Sequence, residues 1–138
     1  MTVELHILLA TALLTASIWI PYIVGVNTTA FEGQADSFER PPDHRNMEPW
    51  IHRAHRAQAN MVEQFAPFAV VVLVGAMLGV SNAWTVGCAL LFLVLRAVHA
   101  WGMIGGWARF PVRPAIFTSA WITILVYALA IWWNAPPA

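Results

Sequence analysis

Four runs of apolar residues follow one another along this 138-residue chain, separated by short polar breaks. A helix needs about 20 apolar residues to cross a hydrocarbon core of about 30 Å. Residues 5–26 form the first such run, 50–80 the second, 83–104 the third and 115–133 the fourth. The second is divided: its first half is polar and it turns apolar only from Phe65 onward. Pro21 predicts a bend in the first run, because proline lacks a backbone donor and crowds the preceding turn. Pro114 stands where a helix-starting proline is tolerated, and the tail Ala135-Pro136-Pro137-Ala138 cannot continue a helix. Val80-Ser81-Asn82-Ala83 is a tight turn, so the second and third runs are antiparallel neighbours. The pattern therefore predicts an all-α membrane protein, a four-helix transmembrane bundle forming a single domain over residues 1–138.

Composition agrees. The chain is 59% hydrophobic and 10% charged, whereas soluble domains carry about 25% charged residues. Its mean hydropathy is +0.64. The net charge is zero, which leaves no basic surface for nucleic acid. The N-terminal run is read as a span and not as a cleaved signal, since Glu4 stands where a signal has basic residues and the apolar stretch is too long. Cys88, the single cysteine, lies inside an apolar run and reads as a small core residue.

Charge sets the orientation. Arg40, Arg45, Arg53 and Arg56 flank the first connection, and Arg109 and Arg113 lie in the third. The N-terminus, the second connection and the C-terminus carry no arginine or lysine. The arginine side is expected to be cytoplasmic and both termini non-cytoplasmic, with Trp84, Trp132 and Trp133 as an aromatic belt at the opposite interface.

Ionisable groups within a span are expensive, about 2.5–3.5 kcal/mol each at the bilayer centre, and by default mark function. Arg53, Arg56, Asn60 and Glu63 on the second helix fall within an arc of about 80° at about 100° per residue. Two readings of this stripe stay open. As a ligand site, Arg56 holds a carboxylate, Asn60 donates and accepts, and Glu63 accepts from an ammonium. As an interhelical ion-pair network, the same groups only fix packing. Arg96 and His99, three residues apart, share one face of the third helix. Arg96 lies about 12 Å from the helix end at about 1.5 Å per residue, and Glu63 is its expected partner. His99 reads either as a satisfied core histidine or as an acid–base group.

The segment Arg109-Phe110-Pro111-Val112-Arg113-Pro114 leads into the fourth helix. Arg113 is expected immediately before that helix, where the dipole and free N–H groups already favour an anion such as a thiolate, carboxylate or phosphate. The alternative is a juxtamembrane arginine that sets topology and touches lipid phosphate. His52-x-x-His55 lacks further ligands at metal-site spacing, so no metal is expected. Gly75-x-x-x-Gly79 reads as a packing motif.

The stretch Arg53-Ala-His-Arg56-Ala-Gln-Ala-Asn60-Met-Val-Glu63, followed by Gln-Phe-Ala-Pro67-Phe68, resembles the R-x-x-R-A-x-x-N-x-x-E signature of the MAPEG family. These are the membrane-associated proteins in eicosanoid and glutathione metabolism. Arg96-Ala-Val-His99 and Arg109-x-Pro111-x-Arg113 resemble the arginine-rich stretch of the same family's prostaglandin synthase. The resemblance implies a homotrimer binding glutathione between subunits near the cytoplasmic face. Arg56, Asn60 and Glu63 would hold the tripeptide's charged backbone, with Arg96, His99 and Arg109 completing the set. Arg113 would steady the thiolate, and a lipophilic substrate would arrive from the surrounding membrane lipid.

Three positions depart from the family. Ala59 stands where several members carry a second arginine, Met103 where eicosanoid-type members place a tyrosine, and Pro114 where the prostaglandin synthase has a serine. They point away from an eicosanoid synthase. The short loops and the absence of lysine point toward a bacterial-type member, which with the arginine orientation implies the inner membrane and periplasmic termini. The resemblance thus implies a glutathione-dependent transferase or peroxidase acting on lipophilic electrophiles. Its alternative is a non-catalytic lipid-binding or accessory subunit of the same fold. A transporter is disfavoured, because the first and fourth runs carry almost no polar residues.

Overall fold

The computed structural model describes residues 1–32, 34, 39 and 43–136; Asp36 and Arg40 of the first connection, and Pro137 and Ala138 of the tail, lie outside the described residues. The first run is divided into two helices, α1 (Val3–Ser17) and α2 (Ile20–Thr28). Pro21 sits in the first turn of α2, where its missing N–H is harmless; one turn deeper in an unbroken helix it would have removed a hydrogen bond. After a short 3-10 turn over His44–Asn46 come α3 (Pro49–Met77), α4 (Ala83–Gly105) and α5 (Val112–Asn134). The combined α1–α2 segment, α3, α4 and α5 are each long and apolar enough to cross a membrane. This is an integral membrane protein.

The α3–α4 turn is built by its residues. Gly79 takes a left-handed φ of 69°, and Val80 N–H reaches back to the Gly75 carbonyl at 2.9 Å, closing α3 with a Schellman motif. Asn82 then caps α4: its side chain accepts from the Trp84 and Thr85 amides, while Thr85 Oγ1 accepts from the Asn82 amide. Glu4 of α1 is fastened to the same place. Its buried carboxylate accepts from Ser81 Oγ at 2.9 Å and from Thr85 Oγ1 at 2.5 Å. The N-terminus therefore lies beside the α3–α4 turn, at the opposite end of the bundle from the described arginines.

Both α1 and α5 pack on α3 and α4. The core in the terminal half is a cluster around Phe68, Val72, Phe92, Ile124 and Tyr127, with the Phe68 and Phe92 rings stacked at 3.9 Å. A smaller cluster of Ile18, Met61 and Ala100 stands toward the arginine end. Outward positions such as Leu13, Val70, Leu129, Trp84, Trp132 and Trp133 are apolar and exposed, as lipid-facing positions must be. With 29 residues, α3 is about 43 Å long, well beyond the apolar thickness of a bilayer.

Candidate functional site

The polar residues of α3 do not act as one stripe. At about 100° per residue, Arg53, Asn60 and Gln64 fall within a narrow inward arc, and Arg56 and Glu63 are turned further round. Burial follows this division. Gln64 is buried and Arg53 and Asn60 are half-buried, whereas Arg56 and Glu63 are exposed.

Arg53 is committed to structure. Its Nε donates to the Met103 carbonyl at 3.0 Å and its Nη2 to the Ile104 carbonyl at 3.4 Å. A guanidinium at these last carbonyls satisfies acceptors that the helix leaves open and complements its negative end. Gly106 ends α4 at φ 79°, and a Cβ there would meet Arg53 Nη2 at 3.0 Å. Glycine at this place lets the cap close.

Arg96 is fully buried, and the pairing with Glu63 does not form. Its Nη1 donates instead to Gln64 Oε1 at 3.5 Å, while Nε and Nη2 have no hydrogen-bond partner. The Glu63 carboxylate acts on Arg96 only through its field. The physical reason is the helical wheel: one residue on from Glu63, Gln64 is rotated by about 100° into the interior. Gln64 also donates through Nε2 to the Phe117 carbonyl of α5 at 3.1 Å, so a single amide ties Arg96 to α5. The Arg96 guanidinium lies 5.7 Å from the centroid of the Phe117 ring. His99 lies beside it, 5.8 Å from the same ring. It is fully buried, yet neither ring nitrogen has a hydrogen-bond partner among the described residues, so it is not a satisfied core histidine.

Arg113 corrects a second expectation. It is the second residue of α5, inside the first turn and not ahead of it. Its own N–H is taken by the Arg109 carbonyl at 2.8 Å, Ala115 donates to Pro111, and Pro114 has no N–H to give. The helix end therefore has few free amides for an anion, and positive charge here rests on the guanidinium. Arg113 lines a pocket of about 400 Å³ with Asn60, Phe110, Pro114, Phe117 and Thr118. Arg56 and His99 lie within electrostatic range of Arg113. Arg109 is exposed, donates to the Gly106 carbonyl at 3.2 Å, and does not line this pocket.

The structure thus gathers Asn60, Arg96, His99 and Arg113 around the Phe117 ring, sets Arg56 and Glu63 at the surface beside them, and leaves Arg109 outside. Asn60 Nδ2 contacts Met103 Sδ at 3.4 Å, a weak acceptor where a hydroxyl would be a strong one. Sequence reasoning missed Gln64 and Phe117. Gln64 was findable, because it stands four residues after Asn60 and eleven after Arg53, on the same face. Among the described residues no cluster of histidine, cysteine and acidic side chains is arranged to hold a metal.

A chemistry needing an anionic ligand fits this arrangement: several guanidinium donors and a buried imidazole share few acceptors. No individual curated protein matches the sequence. The MAPEG family model matches residues 6–133, a stretch that includes part or all of every membrane-spanning helix. On that match, the chain belongs to the MAPEG family.

Proposed function

We propose that this protein is a glutathione-dependent transferase or peroxidase acting on lipophilic electrophiles, assembled as a homotrimer in a bacterial inner membrane with both termini periplasmic. MAPEG proteins generally use glutathione as a substrate or cofactor and are typically trimers. The observation that carries the reading is a set of unpartnered buried polar atoms at one site: the donors Arg96 Nε and Nη2, and the two His99 nitrogens, one a donor and the other an acceptor in the neutral ring; a pocket edged by Asn60 and Arg113 lies alongside, and Arg56 and Glu63 stand exposed next to them.

A tripeptide with two carboxylates, an ammonium and a thiol complements that set. Arg56, Arg96 and His99 meet the carboxylates, Glu63 takes the ammonium, Asn60 orients the backbone, and Arg109 adds positive charge at the rim. Arg113 holds the sulfur as thiolate, which is the nucleophilic form. In transfer, the thiolate attacks an electrophilic carbon; a carbon–sulfur bond forms as the leaving group departs with its electron pair. Trimerisation covers the exposed Glu63, a carboxylate that lipid would not tolerate at depth.

The test is a thermal shift of the detergent-solubilised protein by millimolar glutathione, with thiolate absorbance that Arg113→Ala abolishes. No shift for the wild type sinks the proposal. Met103 against Asn60 favours a second reading, a lipid-binding accessory subunit without turnover. That reading expects lipid to co-purify and glutathione to leave stability unchanged.

A further inference from the structure

We propose that Phe117 is a door between two compartments of the site, and that displacing its ring admits an anionic group, of the carboxylate class, to Arg96 and His99. The inference deepens the glutathione reading and rests on it for the identity of the natural ligand. The door itself is carried by the placement of the Phe117 ring against Arg96 and His99.

The outer compartment is the pocket of about 400 Å³ edged by Asn60 and Arg113, and Phe117 forms part of its wall. The inner one holds the Arg96 guanidinium and the His99 ring, both fully buried. The Phe117 ring is in contact range of both inner groups, at 5.7 Å and 5.8 Å, and it also faces the pocket. One aromatic ring therefore stands between an open cavity and four buried polar atoms without partners. Buried polar atoms in that state are rare and call for a ligand or a role.

The way the door hangs is also visible. The Phe117 backbone is pinned, because Gln64 Nε2 donates to its carbonyl. Gln64 Oε1 meanwhile accepts from Arg96, which keeps the guanidinium beneath the ring. With the backbone fixed, the ring moves by side-chain rotation, and an aromatic residue in a helix has two usable χ1 wells, near about 180° and about −60°. The closed position is held by cation–π attraction to Arg96, whose guanidinium lies 5.7 Å from the ring centroid. An incoming carboxylate competes directly for that same cation. Anions strong enough to replace the ring complete the site, and neutral or weakly basic groups remain in the outer compartment. Phe117 is thus a specificity-determining residue.

The experiment is carbethoxylation of the full-length protein in phosphatidylcholine nanodiscs, read peptide by peptide by mass spectrometry. His6, exposed near the N-terminus, is the internal reference. In the wild type, His99 is modified far more slowly than His6. Phe117→Ala speeds modification of His99 by about tenfold or more, as expected when an open state of a few per cent becomes dominant, whereas Phe117→Tyr leaves it protected. In Phe117→Ala, excess acetate slows the reaction again by occupying the uncovered chamber. If Phe117→Ala fails to fold, Phe117→Leu is read in its place.

Wild-type His99 reacting as fast as His6, or no acceleration in a folded variant, overturns the door. Acceleration that acetate does not slow overturns the anion chamber. Neither readout involves glutathione, so a failed thermal shift with accelerated labelling removes the natural ligand and leaves the door standing.

Discussion

Replacing Arg96 by methionine separates ligand binding from fold stability. The side chain is fully buried, and its hydrogen bond is a long one, 3.5 Å to Gln64. Removing a guanidinium from membrane depth recovers about 2.5–3.5 kcal/mol. Against that stand the lost hydrogen bond, about 1 kcal/mol at this length, and an orphaned Gln64 Oε1, about 1–2 kcal/mol. The lost cation–π contact with Phe117 adds about 1–2 kcal/mol more. Gains and losses nearly cancel. Arg96→Met is therefore expected to cost about 1 kcal/mol of stability, whereas breaking a well-paired buried charge costs about 3–5 kcal/mol. The assay is unfolding in mixed micelles by titrated sodium dodecyl sulfate, followed by the fluorescence of the eight tryptophans. A parallel titration with glutathione at ten times its dissociation constant stabilises the wild type by about 1.4 kcal/mol and leaves Arg96→Met unmoved. A loss of about 3 kcal/mol or more without ligand refutes the reasoning, because it shows that Arg96 is already partnered when the protein is empty.

Other perturbations test the frame that holds the site. A cycle of Glu4→Leu and Thr85→Val, read by the same titration, should give a coupling of about 1.5–3 kcal/mol for the charge-assisted hydrogen bond between them; additive losses disprove the clip. Gly106→Ala is expected to destabilise by about 1–2 kcal/mol, from the left-handed backbone and from displacing Arg53 at 3.0 Å. Arg53→Met in that background should add less than it does alone, and full additivity contradicts the shared cap. Gly102→Ala should destabilise clearly, because its Cβ would lie 2.7 Å from Ala108 Cβ, while Gly87→Ala, with nothing within 4 Å, should stay within about 0.5 kcal/mol of the wild type. Equal melting temperatures for the two alanine variants refute the packing argument.

Much of the architecture was legible because the bilayer imposes a simple rule on length and polarity. The apolar runs, the tight turn over 80–83 and the bend near Pro21 all have local causes, so a linear reading finds them. The apolar pattern starts the last helix at 115, three residues after α5 begins, because Pro114 marks a helix beginning without saying which first-turn position it fills. The site was legible in its parts and less so in its pairings. Arg96, His99, Asn60 and Arg113 were picked out by the cost of charge in a membrane or by resemblance. The partner of Arg96 was assigned to the residue of opposite charge, yet the neutral amide next to it faces inward. Charge attraction is easily read from a string of letters; a rotation of about 100° per residue decides which group can act on it. Phe117 escaped notice because an aromatic residue in an apolar run has no sequence signature beyond bulk.

The length of α3 has a consequence for traffic. A rod of about 43 Å standing near upright in a film whose oily part is about 30 Å carries some of its turns out into the headgroups, and the polar turns at its start are those bearing Arg53 and Arg56. The neighbouring pocket then sits at a shoreline. On the proposed function, a water-soluble thiol can wade in from one side and a greasy electrophile can drift in from the other, and neither has to leave its own solvent before the two collide.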